Sequence, residues 1–561
     1  MTESGFDFSH YYKYQELVNF LHQMREKNPH LIELKVIGQS YGGLDIFLAT
    51  LTNQETGKAQ EKPGYWIDGN IHAVEVTGSA VALYIIYHVL NNYTSNPQIT
   101  YLLDNYTIYI LPRIAVDGAE KYLTTPNILR SSIRHYPYPE ERDGLYREDI
   151  NGDGLILQMR LKDSCGAWKI SSEDPRVMVP REPDEFGGTY YSILPEGIIK
   201  NHDGYNIKVA PIKEGIDFNR NYPHEWQPEG KQQGAGDFPF SEPETRAVAE
   251  FWREHSNING FINYHTFSGV ILRSYCTYPD EHLPVKDLEI YKLIGEKGTK
   301  ITGYECISIY HGFSYSNREK IHGGMVDYCY DRFGWFGFAI ELWDAPTEAG
   351  VKKDDYIKWL QRHPVADDLK MMQWNDEKLA GKGFINWEIF EHPQLGTVEI
   401  GGWDLGIWYN PPIEYLPKLC QEQCKFAISH ALMSPRLAVS QAVVEHQGGD
   451  MYHLVVQLEN QGFLPTYTSE KALEQKSVKP IEVILDLPDN VTLVSGKRKQ
   501  EIEHLQGRAS EAFNFFSFFA QPGSYRCHLE WVVKGVANCE IKVTAKAERA
   551  GVVKTVITLQ E

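Results

Sequence analysis

Asp68-Gly69-Asn70-Ile71-His72-Ala73-Val74-Glu75 is the stretch on which the reading of this chain turns. It follows an apolar run that ends at Ile67 and precedes a helix-like run from Gly78 to Leu90. A His and a Glu three residues apart at a strand-to-helix junction can turn toward one point. Zinc accepts imidazole nitrogen and carboxylate oxygen at about 2 Å. Taken alone, an H-x-x-E also describes a solvated helix face, so its meaning depends on its surroundings.

Working outward, the flanking pattern is that of an α/β fold. Tyr14, Leu17, Val18 and Leu21 recur at helical spacing, and Pro29 stops that helix. Strand-like runs follow at Ile32–Ile37, Leu44–Leu51, Gly64–Ile67 and Tyr106–Leu111. Further on, Ser241-Glu242-Pro243-Glu244 reads as a capping box for a helix over Thr245–His255. Gly260–Tyr264 is a short strand running into His265, and Phe336–Ile340 another running into Glu341. Short apolar strands alternating with helices predict a mixed central sheet flanked by helices. After Pro435 the texture changes. Tyr452–Leu458, Ile481–Leu487, Phe513–Phe519, Tyr525–Val533, Cys539–Ala545 and Val552–Leu559 read as strands with no good helix between them, which predicts an all-β sandwich.

The expected organisation is a catalytic domain over 1–380, interrupted at about 143–217 by a folded insertion rich in Gly, Pro, Asp and Glu. A connecting segment over 381–435, with a helix near Leu416–Leu432, packs on it, and a sandwich domain covers 436–561. The length of 561 residues suits about two to four domains. A net charge of −20 argues against nucleic acid or anionic membrane as partner. Eight Cys in so long a chain do not make a disulfide framework, and Cys420 and Cys424, four apart on a helix, read as buried thiols. MTESGFDFSHYY carries no basic-then-apolar signal and no run is long enough to span a membrane, so the cytoplasm is the expected location.

In open α/β sheets, sites form beyond the carboxyl ends of strands. His72, Glu75 and His265 sit at such ends, and two His with one Glu make a three-ligand catalytic zinc set with one position left open. Glu341, at another strand end, is placed to serve as a general base. In Asp217-Phe218-Asn219-Arg220-Asn221-Tyr222 an Arg fork suits a carboxylate, with Asn219 adding a neutral donor.

At this point the chain resembles the zinc metallocarboxypeptidases of the carboxypeptidase A type. The matches run in order. They are His72 and Glu75, Asn219-Arg220, His265 within Tyr-His-Thr-Phe-Ser, and Gly323-Gly324 with Asp327 and Glu341. Counting on from Ala115-Val116-Asp117-Gly118 puts the family's oxyanion-stabilising Arg at Arg130. The resemblance implies zinc on His72, Glu75 and His265, Glu341 as the base, and the substrate's free C-terminal carboxylate on Asn219 and Arg220. It also implies a peptide as the partner. The specificity position falls on Val326, which implies a neutral or hydrophobic C-terminal side chain.

The chain departs from the family at Val74, where an Arg is frequent, and at Glu319, where the mobile capping Tyr falls. Tyr310 or Tyr315 would have to serve from a shifted loop. The insertion is longer than is typical and contains Asp149-Ile150-Asn151-Gly152-Asp153-Gly154, the opening of a calcium loop with Asp149, Asn151 and Asp153 as oxygen donors. The closing Glu of that pattern is instead Arg160. Two other functions fit the scaffold: a zinc peptidase or amidase acting on cell-wall stem peptides, and an inactive peptide-binding relative.

Overall fold

A computed structural model describes residues 5–314, 320–512 and 524–560. Eight strands form the central sheet: β1 (Ile32–Gln39), β2 (Asp45–Leu51), β3 (Gly64–Gly69), β4 (Thr107–Leu111), β5 (Ile258–Thr266), β6 (Val270–Arg273), β7 (Glu305–Ser308) and β8 (Phe336–Leu342). Their spatial order is β1-β2-β4-β3-β5-β8-β6-β7. The inner run β4-β3-β5-β8 is parallel, while β1, β2 and β6 pair antiparallel at the flanks. Every residue of β3, β4 and β5 is buried, as expected of parallel strands covered on both faces. One covering layer includes the helices Tyr14–Lys27, Thr77–Asn91, Val285–Thr302 and Leu416–Ala431. The other includes Pro243–Glu254 and Met325–Phe333. Cys420 and Cys424 are buried in the first layer.

Register decides where the chemistry sits. His265 of β5 lies directly beside Glu341 of β8, and Asn263 of β5 beside Asp68 of β3. Because side chains alternate along a strand, Asn263 and His265 share a face. The turn after β3 is fixed by close approach: a Cβ on Gly69 would meet the Gly78 carbonyl carbon at 2.6 Å. Asn70 adopts a left-handed φ of 59° there, a conformation Asn tolerates better than most side chains. Its amide donates to the carbonyls of His72 at 2.6 Å and Ala73 at 3.1 Å.

The expected capping box does not form. Pro243 is the first helical residue, Glu242 is the N-cap without a side-chain cap bond, and its carboxylate instead takes Arg134 at 2.7 Å. A Pro at the first position needs no cap for its missing N–H. The helix Pro97–Asn105 carried no expectation from the sequence.

Residues within 143–217 contribute Gln158–Lys162, Trp168–Ile170, Met178–Pro180 and Tyr191–Pro195 to an antiparallel sheet of six strands. Its other two strands come from the hairpin Phe384–His392 and Gly396–Trp403, which pairs on Gln158–Lys162. Leu157, Met159, Val398 and Ile400 share one apolar cluster. The segment after 381 is thus more than a connector, because its hairpin completes the insertion's sheet.

Among the described residues beyond Pro435, two four-stranded antiparallel sheets enclose one core. Met451–Asn460 and Glu540–Ala547 alternate buried and open residues with period two. The segment Phe513–Phe519 lies outside the described residues. Leu437–Gly448 is an additional strand, and Glu470–Glu474 a short helix. Arg549, fully buried, donates to the carbonyls of Phe333 and Tyr467, and Asn259 donates to the Arg549 carbonyl at 2.8 Å. These bonds tie the sandwich to the end of the central sheet. Among the described residues no helix is long and apolar enough to cross a membrane.

Candidate metal and substrate site

His72, Glu75 and His265 bring one ligand atom each within 4.8 Å of one another, and all three are buried. Nδ1 of His72 lies 2.8 Å from Oε1 of Glu75, and Nδ1 of His265 lies 3.1 Å from both His72 Nδ1 and Glu75 Oε2. Vertices of a tetrahedron around zinc at 2.0–2.1 Å are roughly 3.3 Å apart, so the donor set has the right span. The outward nitrogens agree. Nε2 of His72 faces Asp217 Oδ1 at 3.1 Å, and Nε2 of His265 faces Asn263 Oδ1. The Asn263 amide nitrogen in turn donates to Asp68. Both Nε2 atoms therefore carry the proton, and both Nδ1 lone pairs aim at one point beside a carboxylate. Such convergence of lone pairs is unfavourable without a cation, and the hydrogen bonds on the far ring nitrogens are what orient metal-bound His. The residues fit zinc.

Electrostatics follow from this crowding. Burial raises Glu75, but His72 and His265 outweigh it and hold the carboxylate well below its ordinary value. Burial likewise opposes ionisation of Asp217, and Arg130, Arg220 and His72 overcome it. Asp68, bonded by the Trp66 indole at 2.5 Å, is pushed up to about 7, chiefly by burial. Burial and the neighbouring Glu75 carboxylate push Glu341 well above the ordinary range.

A small cavity of about 40 Å³ opens over these groups. His72, His265, Glu341, Arg130, Asn219 and Arg220 all face it, so the sequence candidates converge. Arg130 Nε pairs with Asp217 Oδ2 at 2.8 Å, and one of its terminal nitrogens lies 3.6 Å from Glu75. Arg220 donates to its neighbour's carbonyl at 2.8 Å and stands 3.9 Å from Asp217. Asn219 Oδ1 accepts from the Met325 N–H at 2.8 Å, which leaves its amide N–H2 to offer a ligand. Val326 lines the same cavity with Leu272, Ile309, Phe313 and Ala339. The adjacent Asp327 points elsewhere: both its oxygens take the Cys276 N–H, at 3.0 and 2.9 Å.

Tyr310 does not line the cavity, unlike its neighbour Ile309. Tyr315 and Glu319 lie outside the described residues. The calcium expectation finds no support. Asp149 accepts from the N–H groups of Gly152 and Gly154, Asn151 from Asp153 and Asp153 from Leu155, so the loop closes on itself. Arg160, in the closing position, bonds Glu399 at 2.7 Å. An Asx-turn loop of this kind is complete without an ion.

Three supporting residues escaped the sequence reading. Asp217 stood inside the quoted Asn-Arg motif without a role, and Asn263 was signalled only by its i, i+2 relation to His265. Asn410 had no local signal. Its Oδ1 accepts from Thr77 N at 3.0 Å and Thr77 Oγ1 at 2.8 Å, and its amide donates to the Val74 carbonyl at 2.8 Å. One side chain thus caps the helix that begins at Thr77 and holds the turn between His72 and that helix. Asn410→Ala should weaken metal affinity about tenfold, the lower range for outer-shell partners. Competition with a chromophoric chelator measures this, and unchanged affinity would show that the turn holds itself.

Comparison with known proteins adds the following. The family model described as zinc carboxypeptidase matches residues 17–360, and one described as a domain of unknown function matches residues 436–558. Carboxypeptidase A6 of Homo sapiens is 24% identical over 279 residues, covering 48% of this chain and 46% of that protein. Carboxypeptidase B2 of Bos taurus is 23% identical over 361 residues, covering 63% of this chain and 67% of that protein. The chain thus spans less than half the length of the former. A crystal structure of thrombin activatable fibrinolysis inhibitor superposes with a TM-score of 0.43 at 19% identity, covering 76% of this chain and 75% of that one.

Proposed function

Since the chain belongs to the zinc carboxypeptidase family, we propose that it removes the C-terminal residue from peptides, preferring neutral or hydrophobic residues at that end. The observation that carries the reading is that His72 and His265, clustered with Glu75, line one cavity with Glu341, Arg130 and Arg220. Bound at the first three, zinc supplies Lewis acidity, which polarises the scissile carbonyl and lowers the pKa of water.

The remaining work falls to the chain's own groups. Arg220, with the Asn219 amide, grips the free carboxylate and makes the activity that of an exopeptidase. Glu341, whose environment raises its affinity for protons, takes the proton of the attacking water and delivers it to the leaving amine. Arg130 meets the negative charge that develops on the carbonyl oxygen. Asp217 pairs with Arg130 at 2.8 Å and lies 3.9 Å from Arg220 in the resting site, and it faces the His72 ring.

The side-chain pocket supports the preference. Leu272, Ile309, Phe313, Val326 and Ala339 present apolar surface, and Asp327 is engaged by backbone rather than open to a basic side chain. Discrimination by burial of an aromatic or large aliphatic group against a charged one is worth about 2–3 kcal/mol, or roughly 30- to 150-fold. N-blocked dipeptides varied at the C-terminal residue should therefore rank Phe and Leu far above Lys and Asp in kcat/KM. A preference for Lys or Arg would refute the assignment of Val326.

A further inference from the structure

The catalytic cleft has a larger neighbour that the chemistry above leaves unused. Between the insertion's sheet and the catalytic body lies a cavity of about 670 Å³, within the range of about 300–1,000 Å³ typical of ligand sites. Leu129, Leu157, Leu194, Trp403 and Trp408 are among its lining residues. Of its charged lining residues, Lys121 pairs with Glu214 at 3.0 Å and Lys213 with Glu141 outside the lining, and Arg147 adds a further charge. What it offers a guest is mainly apolar and aromatic surface.

Two features join it to the cleft. Leu129 lines this cavity and the next residue, Arg130, lines the catalytic one. A line of rings makes the second link. Phe267, two residues past His265, stacks on Tyr409 at 5.0 Å and meets Trp408 at 6.2 Å, and Trp408 lies 5.8 Å from Trp403. Direction follows from the proposed chemistry. Arg220 and Val326 mark the C-terminal residue, and Arg130 with Glu341 marks the scissile bond. The rest of an extended peptide, advancing about 3.3 Å per residue, leaves past Arg130 and Phe267 toward the cavity.

We propose that this cavity is a subsite for apolar side chains of the peptide upstream of the scissile bond. It rests on the exopeptidase reading. Its walls at 403–408 lie beyond the residues matched by the family model, which end at 360. The insertion and its partner hairpin thereby become a substrate-reading device.

The test compares kcat/KM for N-blocked Gly-Phe with two N-blocked pentapeptides that end in the same Gly-Phe, one preceded by Leu-Trp-Leu and one by Ser-Asp-Ser. The apolar pentapeptide should exceed the polar one about tenfold or more, the usual yield of a hydrophobic pocket. Ile212→Glu and Leu405→Glu place charge on the lining at positions 57% and 38% exposed, so both variants should fold. Each should bring that ratio close to one. Equal rates on the two pentapeptides in the unmodified protein, or a ratio untouched by both variants, overturns the proposal. If none of the three peptides is cleaved, the exopeptidase reading fails instead. Calorimetry of the apolar pentapeptide on zinc-loaded protein then decides: binding that both variants weaken supports the subsite, and no binding, or binding that neither variant weakens, overturns it.

Discussion

Glu341→Gln should lower kcat at least about a thousandfold, the upper range for a general acid–base group, with one zinc per chain retained. Gln occupies the same volume and keeps an acceptor oxygen, but it cannot take a proton from water at neutral pH. The zinc donors are other residues, set by the turn at His72 and by the register of β5 on β8, so metal content should not follow activity down. Stability should move the other way. Burial and the Glu75 carboxylate raise the folded-state pKa of Glu341. A carboxylate raised in this way contributes stability below its unfolded pKa, about 4.3, and that contribution is lost as pH rises through the folded value. The metal-free Gln variant escapes this loss and should melt above metal-free wild type at pH 8. Metal analysis, single-turnover kinetics and melting curves measure the three outcomes. Near-normal turnover in the variant would remove Glu341 from the mechanism.

The same residues show how far the sequence carries. His72 and Glu75 were legible as a pair because they follow an apolar strand at its end, where period and position coincide. Glu341 was legible because a charge after Phe-Ala-Ile is costly unless used. The sheet's inner strands announced themselves as apolar runs for the same reason, since both faces are covered. The hairpin Phe384–His392 and Gly396–Trp403 did not. Phe384–His392 alternates buried and open positions irregularly, and Gly396–Trp403 pairs with Gln158–Lys162, more than two hundred residues earlier. Asn410 was hidden in the same way: its partners Thr77 and Val74 are 333 and 336 residues away. What local pattern expresses was readable; what depends on distant pairing was not. The capping box at Ser241 failed for a different reason, because Pro243 takes the first helical position and frees Glu242 to bond Arg134.

Arg220 is where the exopeptidase character should reside, and Arg220→Met is the sharpest test of it. The guanidinium is buried and stands 3.9 Å from Asp217, donating meanwhile to the Asn219 carbonyl. A substrate carboxylate offers it a bidentate partner in place of these weaker contacts. Truncating one member of a buried, hydrogen-bonded charge pair costs about 2–5 kcal/mol, so kcat/KM on an N-blocked dipeptide should fall by roughly 30- to several thousand-fold. The loss should appear largely in KM if Arg220 only binds, and in kcat as well if holding the carboxylate also aligns the scissile bond. The same peptide with its C-terminus amidated has no carboxylate to lose. Wild type should cleave it poorly, and Arg220→Met should narrow the gap between acid and amide mainly by losing the acid. Part of any loss would come through Asp217, which keeps Arg130 at 2.8 Å as its remaining guanidinium partner and still orients His72. Zinc affinity separates the two effects. If Arg220→Met binds zinc normally yet discriminates acid from amide as wild type does, the carboxylate is held elsewhere and the assignment of Arg220 falls.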